Sequence, residues 1–198
     1  MYEFTQPWFE TDNRELWDST LPVRYPDGIG RVLEVGSFEG ASACYLLEHG
    51  ARQIVCVDTW EGADEHPYPS IDMGDVYQRF TQNIAEAQLR TGGRVSVVRW
   101  ASLRALSAMI LSGEEQFDFA YIDGQHTAAA ALTDGLLAFE LLRPGGWMYF
   151  DDYNWFNMLY PGDPEKTPHL GVDAFCSVHA TRIEAVDTGN QMHVRKLP

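Results

Sequence analysis

The chain has 198 residues, 45% of them hydrophobic, with 29 acidic against 14 basic side chains and a net charge of −15. That is enough apolar material for one core, and the charge opposes encounter with nucleic acid or an anionic membrane surface, which leaves a small molecule as the expected partner. The first ten residues, MYEFTQPWFE, hold neither a basic leader nor an apolar signal segment, and no run has the length of a membrane span, so the expected location is cytoplasmic.

Residues 1–29 read as an N-terminal cap and residues 30–198 as a single globular domain. In the cap, Asp12 and Glu15 have capping-box spacing ahead of Leu16 and Trp17 on a short helix, and Phe4, Trp8 and Phe9 are aromatics suited to covering a sheet edge. The stretch RVLEVGSFEGAS follows, from Arg31 to Ser42. Val32, Leu33 and Val35 form a short apolar run of the kind found in a parallel strand buried on both faces. Gly36 allows backbone angles that other residues avoid, and Gly40 allows close approach of a helix or a ligand. A helix from Gly40 to His49 with Gly50 as its C-cap is expected next.

A second strand from Gln53 to Val57 ends at Asp58, the position from which an acid reaches the hydroxyls of a bound ribose in a doubly wound sheet. The loop from Thr59 to Ser70 carries Trp60, suited to lying against an adenine, and His66, to which no role is given. A helix from Asp72 to Leu89, a third strand from Val95 to Val98, and a helix from Leu103 to Leu111 with Ser102 as its N-cap come next. Phe117 to Ile122 is the fourth strand, closed by Asp123, Gly124, Gln125 and His126. A helix from Thr127 to Leu142 stops before Pro144 and Gly145, and a fifth strand from Trp147 to Phe150 is closed by Asp151, Asp152 and Tyr153. The loop from Asn154 to His169 is a substrate lid or a poorly ordered segment. A helix from Val172 to Val178 leads to a hairpin of Thr181–Val186 and Gln191–Lys196 around Gly189.

Five alternations of strand and helix predict an α/β fold, a Rossmann-like doubly wound and mostly parallel seven-stranded sheet ending in an antiparallel hairpin. Cys44, Cys56 and Cys176 show no metal-ligand spacing and read as buried reduced thiols. The glycine spacing Glu34-x-Gly36-x-x-x-Gly40 is not the Gly-x-Gly-x-x-Gly that cradles a pyrophosphate, which disfavours a nicotinamide dinucleotide. It resembles motif I of class I S-adenosylmethionine (SAM)-dependent methyltransferases, and LEVGSFEGAS is similar to the form in catechol O-methyltransferases and their small bacterial relatives. The resemblance implies cofactor contacts from Glu34, Gly36, Ser37, Phe38, Gly40 and Ser42 in the turn, from Asp58, Thr59 and Trp60 after the second strand, and from Ser102 and Asp123. Trp100, Ala101 and Ser102 occupy the loop where such enzymes contact the adenine.

Neighbouring first, fourth and fifth strands bring Asp123, Asp151 and Asp152 to one cleft, where three carboxylates repel unless one is protonated or a cation neutralises them. A magnesium ion or another divalent cation fits such oxygen donors, although adjacent strand residues point to opposite faces, so both aspartates reach one ion only if the strand breaks there. YIDG and FDDY resemble the metal-binding pattern of divalent-dependent O-methyltransferases, which implies Asp123, Asp151 and Asp152 as the ligands. Where catechol O-methyltransferases have a lysine base this chain has His126, which is either the general base beside Asp123 or a residue that steadies the next helix. The expected activity is metal- and SAM-dependent O-methylation of a small polyhydroxylated molecule. A metal-free small-molecule N-methyltransferase and a non-catalytic SAM-binding protein are the alternatives. Oligomerisation is open.

Overall fold

The computed structural model describes residues 1–62, 71–114, 116–155 and 159–198. His66 and most of the loop from Thr59 to Ser70 lie outside them. Five parallel strands, β1 (Arg31–Val35), β2 (Gln53–Val57), β3 (Arg94–Val98), β4 (Phe117–Ile122) and β5 (Leu142–Phe150), join the hairpin strands β6 (Ile183–Asp187) and β7 (Met192–Lys196) in the order β3-β2-β1-β4-β5-β7-β6. Only β7 pairs antiparallel to β5, and β6 to β7. The order reverses between β1 and β4, and the carboxyl ends of β1, β2, β4 and β5 open on that switch point.

Alternation along the strands divides the core. Val32, Ile54, Phe119, Tyr121 and Tyr149 face α1 (Arg14–Arg24), α2 (Ala41–Glu48) and α3 (Met73–Thr91). Leu33, Val35, Ala120, Ile122, Met148 and Phe150 face α4 (Ser102–Ser112), α5 (Ala128–Leu141) and α6 (His169–Val178). Strand β5 is longer than expected because Leu142 already pairs with Phe117. The ladder then breaks at Pro144, Gly145 and Gly146 and resumes at Phe119 opposite Trp147. Lys196, the last residue of β7, donates to the carbonyls of Phe139 and Leu142, both at 2.7 Å, so its ammonium satisfies the end of α5.

The N-terminal segment departs from the expected capping box. Phe9–Asn13 form a wide turn, α1 begins only at Arg14, and neither Asp12 nor Asn13 caps it. Asn13 is instead committed to the sheet, and Trp17 is fully buried among Phe9, Tyr45, Phe119, Tyr121 and Tyr149. Ser102 likewise is not a cap but the first residue of α4, its hydroxyl given to Asp134 on α5. Cys44 and Cys56 are buried and Cys176 is half-buried, all three free. No helix among the described residues is long and apolar enough to cross a membrane.

Asp134 supplies a stability test. Burial pushes its carboxyl up to about 6 from 3.8, against the hydrogen bond from Ser102. A folded pKa above the unfolded one means that its contribution is complete below about pH 4 and is lost as pH rises through 6. Asp134→Asn, which keeps an acceptor for Ser102 and carries no charge, should therefore raise stability at pH 8 by on the order of 2–3 kcal/mol and change little at pH 4. Urea unfolding at the two pH values measures the difference, and an equal effect at both would refute it.

Candidate active site

A cleft of about 630 Å³ lies over the switch point, walled by the turn after β1, the ends of β2, β4 and β5, the start of α4 and the N-terminal segment. Gly36 makes its floor. Its φ is +83°, and a Cβ there would coincide with the carbonyl of Asp123, so only glycine lets β1 turn this close to the end of β4. Gly40, also left-handed, does not border the cleft; a Cβ on it would press on Phe80 and Ile84 of α3, so it serves helix packing.

Glu34 is fully buried beneath the turn, away from the cleft. Its oxygens accept from the hydroxyls of Ser37 and Ser42, both at 2.5 Å, and from the Cys56 thiol at 3.3 Å. Burial raises its pKa, and those donors oppose the rise. It therefore braces the turn instead of bordering the cofactor cavity. Asp58 does border the cleft, but its carboxylate is occupied: Oδ2 accepts from the backbone N–H groups of Ser37 (2.8 Å) and Phe38 (3.1 Å), and Oδ1 from Trp60 N–H (2.8 Å). The acid at the end of β2 thus holds the glycine turn from the side while bordering the cavity.

Trp60 is not an adenine platform. It is 2% exposed, packs on Tyr77 and Phe80, and gives its indole N–H to the Phe38 carbonyl. Trp100 opens onto the cleft in its place, 42% exposed, with the Arg104 guanidinium 4.1 Å from its ring. Ser37, Phe38, Ser42, Thr59, Ser102 and Asp123 also line the cavity.

The three aspartates do not form one set. Asp123, His126 and Asp152 do: one donor atom of each lies within 4.8 Å of the others. His126 Nε2 is 3.0 Å from Asp152 Oδ2 and 3.6 Å from Asp123 Oδ1, and its ring rests against Trp155. Asp152 reaches the group because the strand ends there, with φ at +53°. Asp151 keeps the strand alternation, on the face of Tyr149 and Tyr121, and turns to the N-terminal segment. Its carboxylate accepts from Asn13 Nδ2 (2.8 Å), Gln191 Nε2 (2.9 Å), Asn190 Nδ2 (3.4 Å) and the Tyr121 hydroxyl, which lies 3.2 Å from Asp123. Gln191 in turn accepts from Trp17 Nε1 and His193 Nε2 and donates to Asn13, so all four of its hydrogen-bonding positions are filled. Burial and the neighbouring Arg24 hold His193 down at about 3, neutral between Arg24 and Gln191.

Burial and the Asp151 charge raise Asp123 well above the ordinary carboxylate range, and burial and Asp152 push Asp151 up to about 6. Burial alone would lower the pKa of His126, but hydrogen bonds and charge from Asp123 and Asp152 outweigh it and raise that pKa well above its usual value. Such shifts, from burial and close charged neighbours in a cleft, mark groups placed for ion binding or proton transfer.

Tyr121 was visible in principle, since the two-residue period puts it on the same face as Asp123. Asn13, Gln191 and Trp155 were not: they converge from remote parts of the chain, and nothing local distinguishes them.

No curated protein matches the sequence significantly. By structure, the chain is similar to an O-methyltransferase of Bacillus cereus in complex with S-adenosylhomocysteine (SAH), with TM-score 0.64 and 21% identity over 90% of this chain and 78% of that one. It is similar to a candidate rRNA methylase of Clostridium thermocellum, at 0.64 and 13% over 95% and 98%. It is also similar to the N-methyltransferase NodS of Bradyrhizobium japonicum with SAH, at 0.55 and 17% over 98% and 93%. The fold is therefore shared by proteins named for oxygen, RNA and nitrogen acceptors and does not choose among them. The family described as "Methyltransferase domain" matches residues 33–153, the stretch running from the glycine turn through the carboxylate–histidine group. The chain belongs to that methyltransferase family and has the class I fold of its SAM-dependent members.

Proposed function

We propose that the protein is a divalent-metal-dependent O-methyltransferase acting on a small molecule with adjacent hydroxyl groups. The observation that carries this reading is the convergence of Asp123, His126 and Asp152 on one point of the cleft wall, beside the turn that houses a nucleoside cofactor in this fold. Two carboxylates suit a hard divalent ion, and the imidazole beside them suits a proton acceptor, so the donor set fits.

SAM, when bound, supplies an electrophilic sulfonium methyl group. A divalent ion, when bound, supplies Lewis acidity and a template for two acceptor oxygens. Asp123 and Asp152 are the residues that would hold it. The charge of that ion would offset those of Asp123 and Asp152, which otherwise hold the proton on His126, and would leave His126 Nε2 to take up the hydroxyl proton. Asp151 acts from behind: through Tyr121 and Asn13 it fixes the end of β4 and ties the N-terminal segment to the cleft wall. Trp8, packed on Phe38, and Trp155, packed on His126, are apolar walls that exclude water from the reacting groups. Ser37, Phe38, Ser42, Asp58, Thr59, Trp100 and Ser102 form the cofactor side. The excess of acidic side chains supports a small acceptor over a nucleic acid.

Calorimetry with SAH, magnesium and manganese, paired with methyl-transfer assays on catechols and polyols, tests the reading. SAH should bind with or without metal, and chelation should abolish transfer that either ion restores. Undiminished transfer in excess chelator would replace this reading with metal-free methylation, on nitrogen or oxygen.

A further inference from the structure

We infer that the outer face of α4 docks a second copy of this chain, in a two-fold dimer whose axis passes beside Ser107. The surface lies on the side of the α4–α5 layer turned away from the sheet and is independent of the proposed methyl transfer. Helix α4 buries Ala105, Leu106 and Met109 against the core, yet its solvent side is apolar too. There Leu103 is 58% exposed, Ile110 36% and Leu111 88%, and with Ser107 they follow the three- and four-residue spacing of one helix face. Surface helices carry charged side chains on the face turned to water, so a helix apolar all round is one that is covered. The adjoining α5 extends the surface with an outward stripe of Ala129, Thr133 and Leu136, uncharged until Glu140.

Charge and symmetry select the occupant. The chain carries a net charge of −15, so two copies repel unless they meet on a face free of acids, and residues 102–113 contain none. An acidic protein or a nucleic acid would need exposed cations, and α4 offers only Arg104, already held over the Trp100 ring. A second copy needs none, because the face is complementary to itself. Leu103, Ser107 and Leu111 are evenly spaced, so the row reads alike from either end. Two α4 helices packed antiparallel about Ser107 set Leu103 of each copy against Leu111 of the other. The small side chains of Ser107 and Ala108 then lie at the centre, where the backbones come closest. At ~1.5 Å of length per residue and ~10 Å of width, α4 and α5 present about 400 Å² per copy and bury about 800 Å² in the pair. Stable interfaces bury about 1,200 Å² or more, so this dimer is a reversible one in the micromolar range.

Sedimentation equilibrium of the full chain tests the inference. Monomer should pass to dimer with a dissociation constant of about 1–100 μM. Leu111→Glu should raise that constant at least about tenfold, because it sets a carboxylate against the Leu103 side chain of the other copy. Adding Leu103→Arg to Leu111→Glu should restore association and make it fall with added salt, since each copy then offers opposite charges to the other. Both leucines are exposed, so these variants should melt with the wild type. Ser107→Cys should give a disulfide-linked dimer under mild oxidation, above the wild-type background, and Leu170→Cys on the exposed side of α6 should not. A chain that stays monomeric at several hundred micromolar, well above the range expected for so small an interface, would overturn the inference. So would a dimer indifferent to Leu111→Glu, a double variant that does not recover, or cross-linking of Leu170→Cys equal to that of Ser107→Cys.

Discussion

Asp152→Asn should lower methyl transfer by about a hundredfold or more and remove divalent-ion binding, whereas the adjacent Asp151→Asn should act chiefly on stability. Both residues border the cleft but differ in their partners. Asp152 points into the cleft with Asp123 and His126, and neutralising it removes one of two hard donors and one of the two charges that keep His126 basic. Asp151 accepts hydrogen bonds from Asn13, Asn190, Gln191 and Tyr121, so an amide in its place would set N–H against N–H in a buried site. Leaving such donors unsatisfied costs about 1–3 kcal/mol each way the amide is turned. Melting temperature and manganese affinity, read on both variants, separate the roles. Loss of ion affinity in Asp151→Asn at unchanged melting temperature would put Asp151 among the ligands, and full turnover in Asp152→Asn would remove the ion from the mechanism.

Gly36→Ala should be the most damaging single-methyl substitution in the cofactor turn, costing on the order of 3–5 kcal/mol and with it SAH binding. Two effects add. The left-handed φ of +83° disfavours any side chain, and the new Cβ would overlap the carbonyl of Asp123. That carbonyl cannot retreat easily, since Asp123 N–H donates to Val35 at 2.8 Å and Asp151 N–H donates to Ile122 at 2.9 Å, locking β1, β4 and β5 together. Gly145→Ala is the control: its φ is +81° and nothing lies within 4 Å of the added Cβ, so it should cost only about 1 kcal/mol. Chemical unfolding of both variants checks the comparison, and equal losses would show that backbone angle alone, without the close approach to β4, limits position 36.

How much of this could be read from the chain depends on the range over which each determinant acts. The parallel strands were legible because short apolar runs, closed in β1 by Gly36 and in β2, β4 and β5 by aspartates, have few alternative uses. Boundaries slipped where a tertiary partner outbid the local signal. Leu142 continues as strand because Phe117 is opposite it, and Ser102 gives up a capping role because Asp134 offers a buried acceptor. The same competition explains the N-terminal segment, where capping-box spacing was present but Asn13 is drawn to Asp151 across 138 residues.

The sequence by itself determined the class of fold, the glycine turn and the acids at the ends of β2, β4 and β5, because strand period and turn chemistry are properties of neighbouring residues. Only the tertiary structure decided which of those acids act together. Asp151 and Asp152 are consecutive and chemically identical, and the strand period would send them to opposite faces. The positive φ at Asp152 brings one back to Asp123 and His126, while Asn13, Tyr121 and Gln191 retain the other. Burial likewise moved Trp60 into the core and left Trp100 at the cleft, because a tryptophan's surroundings are set by which helix packs on its strand, and α3 covers one and not the other.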